Sequence, residues 1–151
     1  MKESLEKSKD ELKMVDHLIY VSLKYTRTCD IFKSILGRMI SAIEFMLDSL
    51  LRKLEDEKKI SAVPQQPIAK SNTVKQNYGD EKVKEMADFY IRLRQLNRAS
   101  FDRCREFRRH VTMTINLENE KVEINIDNIT EYYKRIKDYF DHVEKITKGE
   151  A

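Results

Sequence analysis

Residues 31 to 57 read IFKSILGRMISAIEFMLDSLLRKLEDE, in which Phe32, Ile35, Leu36, Met39, Ile40, Ile43, Met46, Leu47, Leu50, Leu51 and Leu54 recur three, four and seven apart. Side chains at those intervals share one side of an α-helix. With at least three apolar positions in every two turns, the face is too broad for a single partner helix. The stretch therefore predicts a central helix. Its face is either ordinary core throughout or core on one part and a second copy of the chain on the rest.

Upstream, Leu5, Leu12, Val15, Ile19 and Ser22 or Leu23 repeat at helical spacing among charges, which predicts a helix over Glu3 to Tyr25. The segment Thr26-Arg27-Thr28-Cys29-Asp30 has no Gly or Pro, yet Thr and Asp side chains compete for backbone hydrogen bonds and suit a helix start. An unbroken helix from Glu3 to Glu57 would reach about 80 Å, too long for a compact domain of this size. A break near Arg27 is expected.

Downstream the character changes. Residues 61 to 79, SAVPQQPIAKSNTVKQNYG, hold both prolines of the chain. Residues 58–80 are expected to be a connecting loop, with at most a short helical turn at Asn72 to Gln76. Asp80 is placed to cap a third helix that starts near Glu81.

That helix leads into RLRQLNRASFDRCREFRRHV, Arg92 to Val111, which contains seven of the eleven arginines and only two acids, Asp102 and Glu106. On helical spacing, Leu93, Leu96, Ser100, Cys104, Phe107 and Val111 extend an apolar stripe from Met86, Phe89 and Tyr90. Arg94, Arg98, Arg105, Arg108 and Arg109 lie off it. The helix is expected to run to about Arg109. Arginine faces are often simply solvated, but arginine in a chain otherwise free with lysine also suits bidentate contact with phosphate or carboxylate.

After His110 the period becomes two. Val111, Met113, Ile115 and Leu117 alternate with polar residues, as do Val122, Ile124 and Ile126, around a turn at Glu118-Asn119-Glu120-Lys121. Asn128 with Glu131 resembles a capping box for a last helix carrying Ile129, Ile136, Val143 and Ile146 to the core. The tail Lys148 to Ala151 is expected to fray. The expected architecture is a single domain over residues 1–151, mainly α: a four-helix up-down bundle with a β-hairpin inserted between the third and fourth long helices.

Composition agrees with long helices and excludes several classes. There are three Gly, two Pro and no Trp, 36% of residues are charged, and the net charge is only +3, so the basic character is local. Cys29 and Cys104 are too few for a disulfide framework, and no Cys/His cluster has metal-ligand spacing. No apolar run approaches the ~18 residues of a membrane span, and the charged N-terminus has no signal-peptide core. A cytoplasmic protein without metal or cofactor is expected. The combination of Lys, Glu and Ile with scarce Gly hints at a thermophile. No phosphate-binding Gly loop, nucleophile elbow or HExxH pair occurs. His17 and His142 are expected to be structural or surface residues.

His110 beside the arginines is the remaining chemistry. Histidine moves protons near neutral pH, and arginine stabilises charge developing on a phosphate. With RNA the substrate's own 2′-hydroxyl can be the nucleophile, so a base and an arginine suffice without metal. Arg105-Glu106-Phe107-Arg108-Arg109-His110 fits an Arg-x4-6-His motif, as does Arg103 to His110. With an amphipathic helix led in by IDNITEYYKRI after the motif, the chain resembles the HEPN superfamily (higher eukaryotes and prokaryotes nucleotide-binding domains). The resemblance implies a homodimer whose paired motifs line a cleft. It also implies either metal-independent endoribonuclease activity or a noncatalytic RNA-binding role, and such domains also occur beside a protein partner. On that reading Arg105 and His110 form the catalytic pair, with Arg98, Arg103, Arg108 and Arg109 as phosphate contacts. The alternative is a noncatalytic dimeric interaction module whose arginines form ion pairs across the interface.

Overall fold

The computed structural model describes residues 2–149, with the side chain of Cys104 outside the described set. The N-terminal helix consists of α1 (Lys2–His17), a π-helical turn (Leu18–Ser22) and a closing turn, α2 (Leu23–Tyr25). Val15, Ile19 and Leu23 follow one another by four and all are buried. In a regular α-helix such steps drift around the axis; the wider π turn keeps the three on one side. Thr26 leaves the helix in an extended conformation and Thr28 caps the next, its Oγ1 accepting from the Ile31 amide. The break expected near Arg27 is present.

The next helix, α3 (Cys29–Asp56), is the centre of the molecule. It packs against α1, α4 (Pro67–Asn77), α5 (Glu81–Arg98), α6 (Ile126–Thr147) and the strand β2 (Thr112–Asn116). Its apolar face is covered within one chain: Ile40, at 8%, is its most exposed core residue. The idea that part of this face serves a second copy is thereby corrected. Small side chains let α1 approach closely, with Ser4 and Ser8 buried and the Ser8 hydroxyl donating to the Ala42 carbonyl at 2.8 Å.

The fold is mainly helical with a small antiparallel sheet, β1 (Ser100–Cys104), β2 and β3 (Lys121–Ile124), in the order β1-β2-β3. The expected hairpin exists as β2 and β3, with Met113 and Ile115 buried and Met113 opposite Ile124. The sheet has one strand more than expected, because the third long helix stops at Arg98 and does not continue to Arg109. Ala99 turns extended, and Lys33 from α3 donates its amine to the Asn97 carbonyl, satisfying a group that a longer helix would have used. Residues 100–104 then pair along β2, from Ser100 opposite Asn116 to Cys104 opposite Thr112. The stripe expected through Ser100, Cys104 and Phe107 is therefore not helical.

Two further differences are local. Within the expected loop, Pro67 to Asn77 folds as α4, held by Val74 in the core and by Lys70, whose ammonium lies 2.8 Å from Asp48. The last helix is capped by Asn125, not Asn128: the Asn125 side chain accepts from the Asn128 amide, and the Asn128 side chain accepts from the Asn125 amide. Asp80 caps α5 as expected, accepting from the Lys82 and Val83 amides, and its other oxygen meets His142 Nε2 at 2.6 Å. Of the tail expected to fray, residues 150 and 151 lie outside the described set. Among the described residues, no helix is long and apolar enough to cross a membrane.

Two stability outcomes follow from this packing. Leu47→Ala, at a fully buried α3 position, is expected to cost about 2–5 kcal/mol through lost burial and a residual cavity, read as a lower urea midpoint at unchanged m. Asp80→Ala removes a cap and is expected to cost about 1 kcal/mol in the same measurement.

Candidate anion-binding site

The β1–β2 connection, residues 105 to 111, carries three of the arginines and His110. It is a tight, pinned loop. Arg105 and Phe107 adopt positive φ, 57° and 65°, a region that side chains other than glycine enter infrequently. The Arg108 and Val111 amides donate back to the Arg105 and Arg108 carbonyls. Two bonds fasten the loop to the break between α2 and α3: the Phe107 amide donates to the Arg27 carbonyl, and Glu106 Oε1 accepts from the Cys29 amide at 3.0 Å. Glu106 thus serves as a distant cap on α3, where a carboxylate also meets the positive end of the helix dipole.

Arg103 fixes the same corner from β1. Its guanidinium reaches Glu106 at 3.0 Å and Asp30 at 3.1 Å, and it lies over the Phe101 ring, 5.2 Å from the centroid. The Cys29 amide, with the Arg103 guanidinium, holds the Glu106 carboxyl below its ordinary range against the opposing effect of desolvation.

Docking the loop there creates a cavity of about 490 Å³ lined by Arg27, Arg105, Arg109, His110, Thr112, Asn125, Ile126 and Asp127. Three guanidinium groups face one carboxylate, and the first residues of α6 form the remaining wall. A helix N-terminus and arginines favour the same kind of ligand, an anion. Arg27 is prominent among them because its Nε is out of contact with solvent and finds no acceptor among the described residues. Buried donors normally have partners, so an orphaned one on an arginine of the cavity wall is unusual. No group of His, Cys, Asp and Glu that could hold a metal ion occurs among the described residues.

The expected site residues separate into two sets. Arg105, Arg109 and His110 share the cavity, although 105 to 110 is loop and not the end of a helix. Arg98 lies elsewhere, at the end of α5 beside Gln66, Pro67 and Ile68. Arg103 is engaged by Asp30 and Glu106, and Arg108 is exposed without lining the cavity. Sequence reasoning passed over Arg27 and the start of α6. The first was visible only as the predicted break, and the second as a cap placed three residues late. His17 is exposed on α1 and His142 pairs with Asp80, in keeping with structural or surface roles.

The Glu106 anchor has a pH signature. Its folded pKa lies below the ordinary value of 4.5, so it contributes stability above that pH and loses the contribution as pH falls through the folded value. Glu106→Gln keeps an acceptor for the Cys29 amide but removes the charge. The native melting temperature is expected to exceed that of Glu106→Gln at pH 7, and the gap to narrow as pH falls below 4.5 and through the folded value; a gap that is the same at pH 7 and in acid would show that the charge does not matter. Compared with known proteins, the chain matches no family model, no curated protein and no solved structure.

Proposed function

We propose that this chain is an RNA-associated domain, HEPN-like in its Arg105 and His110 pair, whose cavity takes a backbone phosphate. The observation that carries the reading is the meeting of Arg27, Arg105, Arg109 and His110 at the start of α6. Guanidinium forks hold phosphate oxygens in pairs, and Arg27, Arg105 and Arg109 bring three of them to one cavity. The four long helices α1, α3, α5 and α6 are taken, in the same proposal, as an up-down bundle.

Binding is the primary activity, and metal-independent cleavage is its extension. A ring that acts as general base is usually oriented by a third group, and among the described residues the His110 ring has no hydrogen-bond partner, only its carbonyl accepting from Thr112. In the cleavage extension, His110 takes the proton of the 2′-hydroxyl as its oxygen attacks phosphorus. Arg105 then neutralises the charge gathering on the phosphate while the P–O5′ bond breaks, the 5′-oxygen taking a proton from water and the phosphate closing to a 2′,3′-cyclic diester.

A second reading is a homodimeric interaction module. It is favoured by the exposed apolar side chains along the N-terminal helix, of which Tyr25 at 78% is the extreme, with Met14, Tyr20 and Val21 also exposed. A tight dimer with no nucleic-acid affinity would select this reading.

In chelator, the native chain is expected to bind single-stranded RNA with an affinity that falls steeply with salt. Arg105→Ala is expected to weaken binding and to lower the slope of log K against log salt by about 0.7, one phosphate contact on a single strand. His110→Ala should retain binding and lose any cleavage that survives chelation. Equal retention at low and high salt, or no retention, would remove RNA from the reading.

A further inference from the structure

The most exposed aromatic ring outside the N-terminal helix is Phe107, at 71%, in the middle of the cationic loop. A scattered exposed apolar side chain needs no explanation, but this one is neither scattered nor loose. Its direct neighbours in the chain are Glu106, which is engaged by Arg103 and the Cys29 amide, and Arg108, with Arg105, Arg109 and His110 two or three residues away. Its amide is bonded to the carbonyl of Arg27, a residue of the cavity wall, and the positive φ at 107 belongs to that same pinned turn. The backbone is therefore held beside the cavity while the ring stands in water. Among the described residues no carboxylate lies within ion-pair distance of Arg105, Arg108 or Arg109. The ring thus sits in surroundings that attract anions.

A flat apolar ring next to a guanidinium-lined cavity matches a ligand that carries both an anion and an unsaturated ring in one repeating unit. An oligonucleotide has that construction, and its bases are available for stacking when they are unpaired. We propose that Phe107 is a base-stacking platform, so that the site takes single-stranded RNA by holding a phosphate in the cavity and a neighbouring unpaired base on the Phe107 ring. The proposal rests on the phosphate reading above and adds the residue that receives the base. Because the backbone is already pinned, the stack orders only the rotamer of the ring. A protein partner for the ring is the competing occupant, but three arginines against the single carboxylate of Asp127, with Glu106 already engaged by Arg103 and the Cys29 amide, select an anionic ligand, and a nucleotide supplies the ring contact as well.

The chain contains no Trp, so Phe107→Trp introduces a single indole reporter at the position. The full chain is titrated with a 2′-O-methylated single-stranded oligoribonucleotide, which has no 2′-hydroxyl nucleophile, and with an abasic oligomer of the same length and charge. Indole quenching by the first and not the second is expected. Phe107→Leu, which keeps apolar bulk without a ring, is expected to weaken binding of the base-bearing oligomer by about fivefold to a hundredfold and to leave the abasic one unchanged. Equal affinity for both oligomers, with no loss in Phe107→Leu, would overturn the stacking role while the phosphate site stands. Failure of the native chain to bind either would overturn both. A change in sedimenting mass on Phe107→Leu with base dependence unaltered would place the ring at a protein contact and overturn the proposal in favour of that surface.

Discussion

The burial of α3 is the constraint on which everything else depends. Phe32, Leu36, Met39, Ile43, Met46, Leu47, Leu50 and Leu51 carry apolar surface to more than one side of the helix, and each is fully removed from water. Burying a side chain of this size is worth roughly 1.5–3 kcal/mol, so a helix bearing so many cannot be left with an open flank. Four helices and a strand close around it. Even α4, with only Val74 fully buried among its apolar side chains, is fastened to α3 by a buried lysine that answers Asp48 and Glu44. Burying that charge is tolerable only because it is paired.

The same helix determines where the chemistry can gather. Its N-terminus leaves amide groups that need acceptors, and two come from within the capping segment and from far along the chain: Thr28 takes the Ile31 amide, and Glu106 takes the Cys29 amide. Arg103 bridges the two carboxylates Glu106 and Asp30, and Glu106, with the Phe107 amide on Arg27, brings the β1–β2 loop down onto the inter-helix break. What began as a local need of one helix end therefore collects Arg27, Arg105, Arg109 and His110 around one cavity. The reciprocal Asn125 and Asn128 cap orders the start of α6 as its opposite wall.

Much of the fold was readable because it is written in local spacing. Period 3.6 over α3, the Thr and Asp residues around Arg27, Asp80 before α5 and the strict alternation in β2 each reflect a preference within a few residues. Where the signal was weak or misleading, the competing physics lay elsewhere in the chain. Residues 99 to 109 lack Gly and Pro and have an apolar pattern compatible with a helix, so nothing local marks the stop at Arg98. The helix ends there because β2 offers residues 100 to 104 a ladder and Lys33 takes the Asn97 carbonyl. The helix α4 was hidden for the opposite reason: with so little apolar surface of its own it has almost no amphipathic stripe.

Of the site, the sequence by itself determined the ingredients: an arginine-rich stretch, a histidine at its end, a break near residue 27 and a helix starting after the second strand of the hairpin. These are matters of composition and short-range periodicity. The tertiary structure alone decided which ingredients meet. Ending α5 at Arg98 leaves Arg98 at the far end of a helix and puts Arg103 into ion pairs, while the loop carries Arg105, Arg109 and His110 to Arg27, 78 residues before Arg105 in the chain. Pairings across such a separation depend on hydrogen bonds and burial that form only once the helices have packed, and no spacing within a single stretch of sequence encodes them.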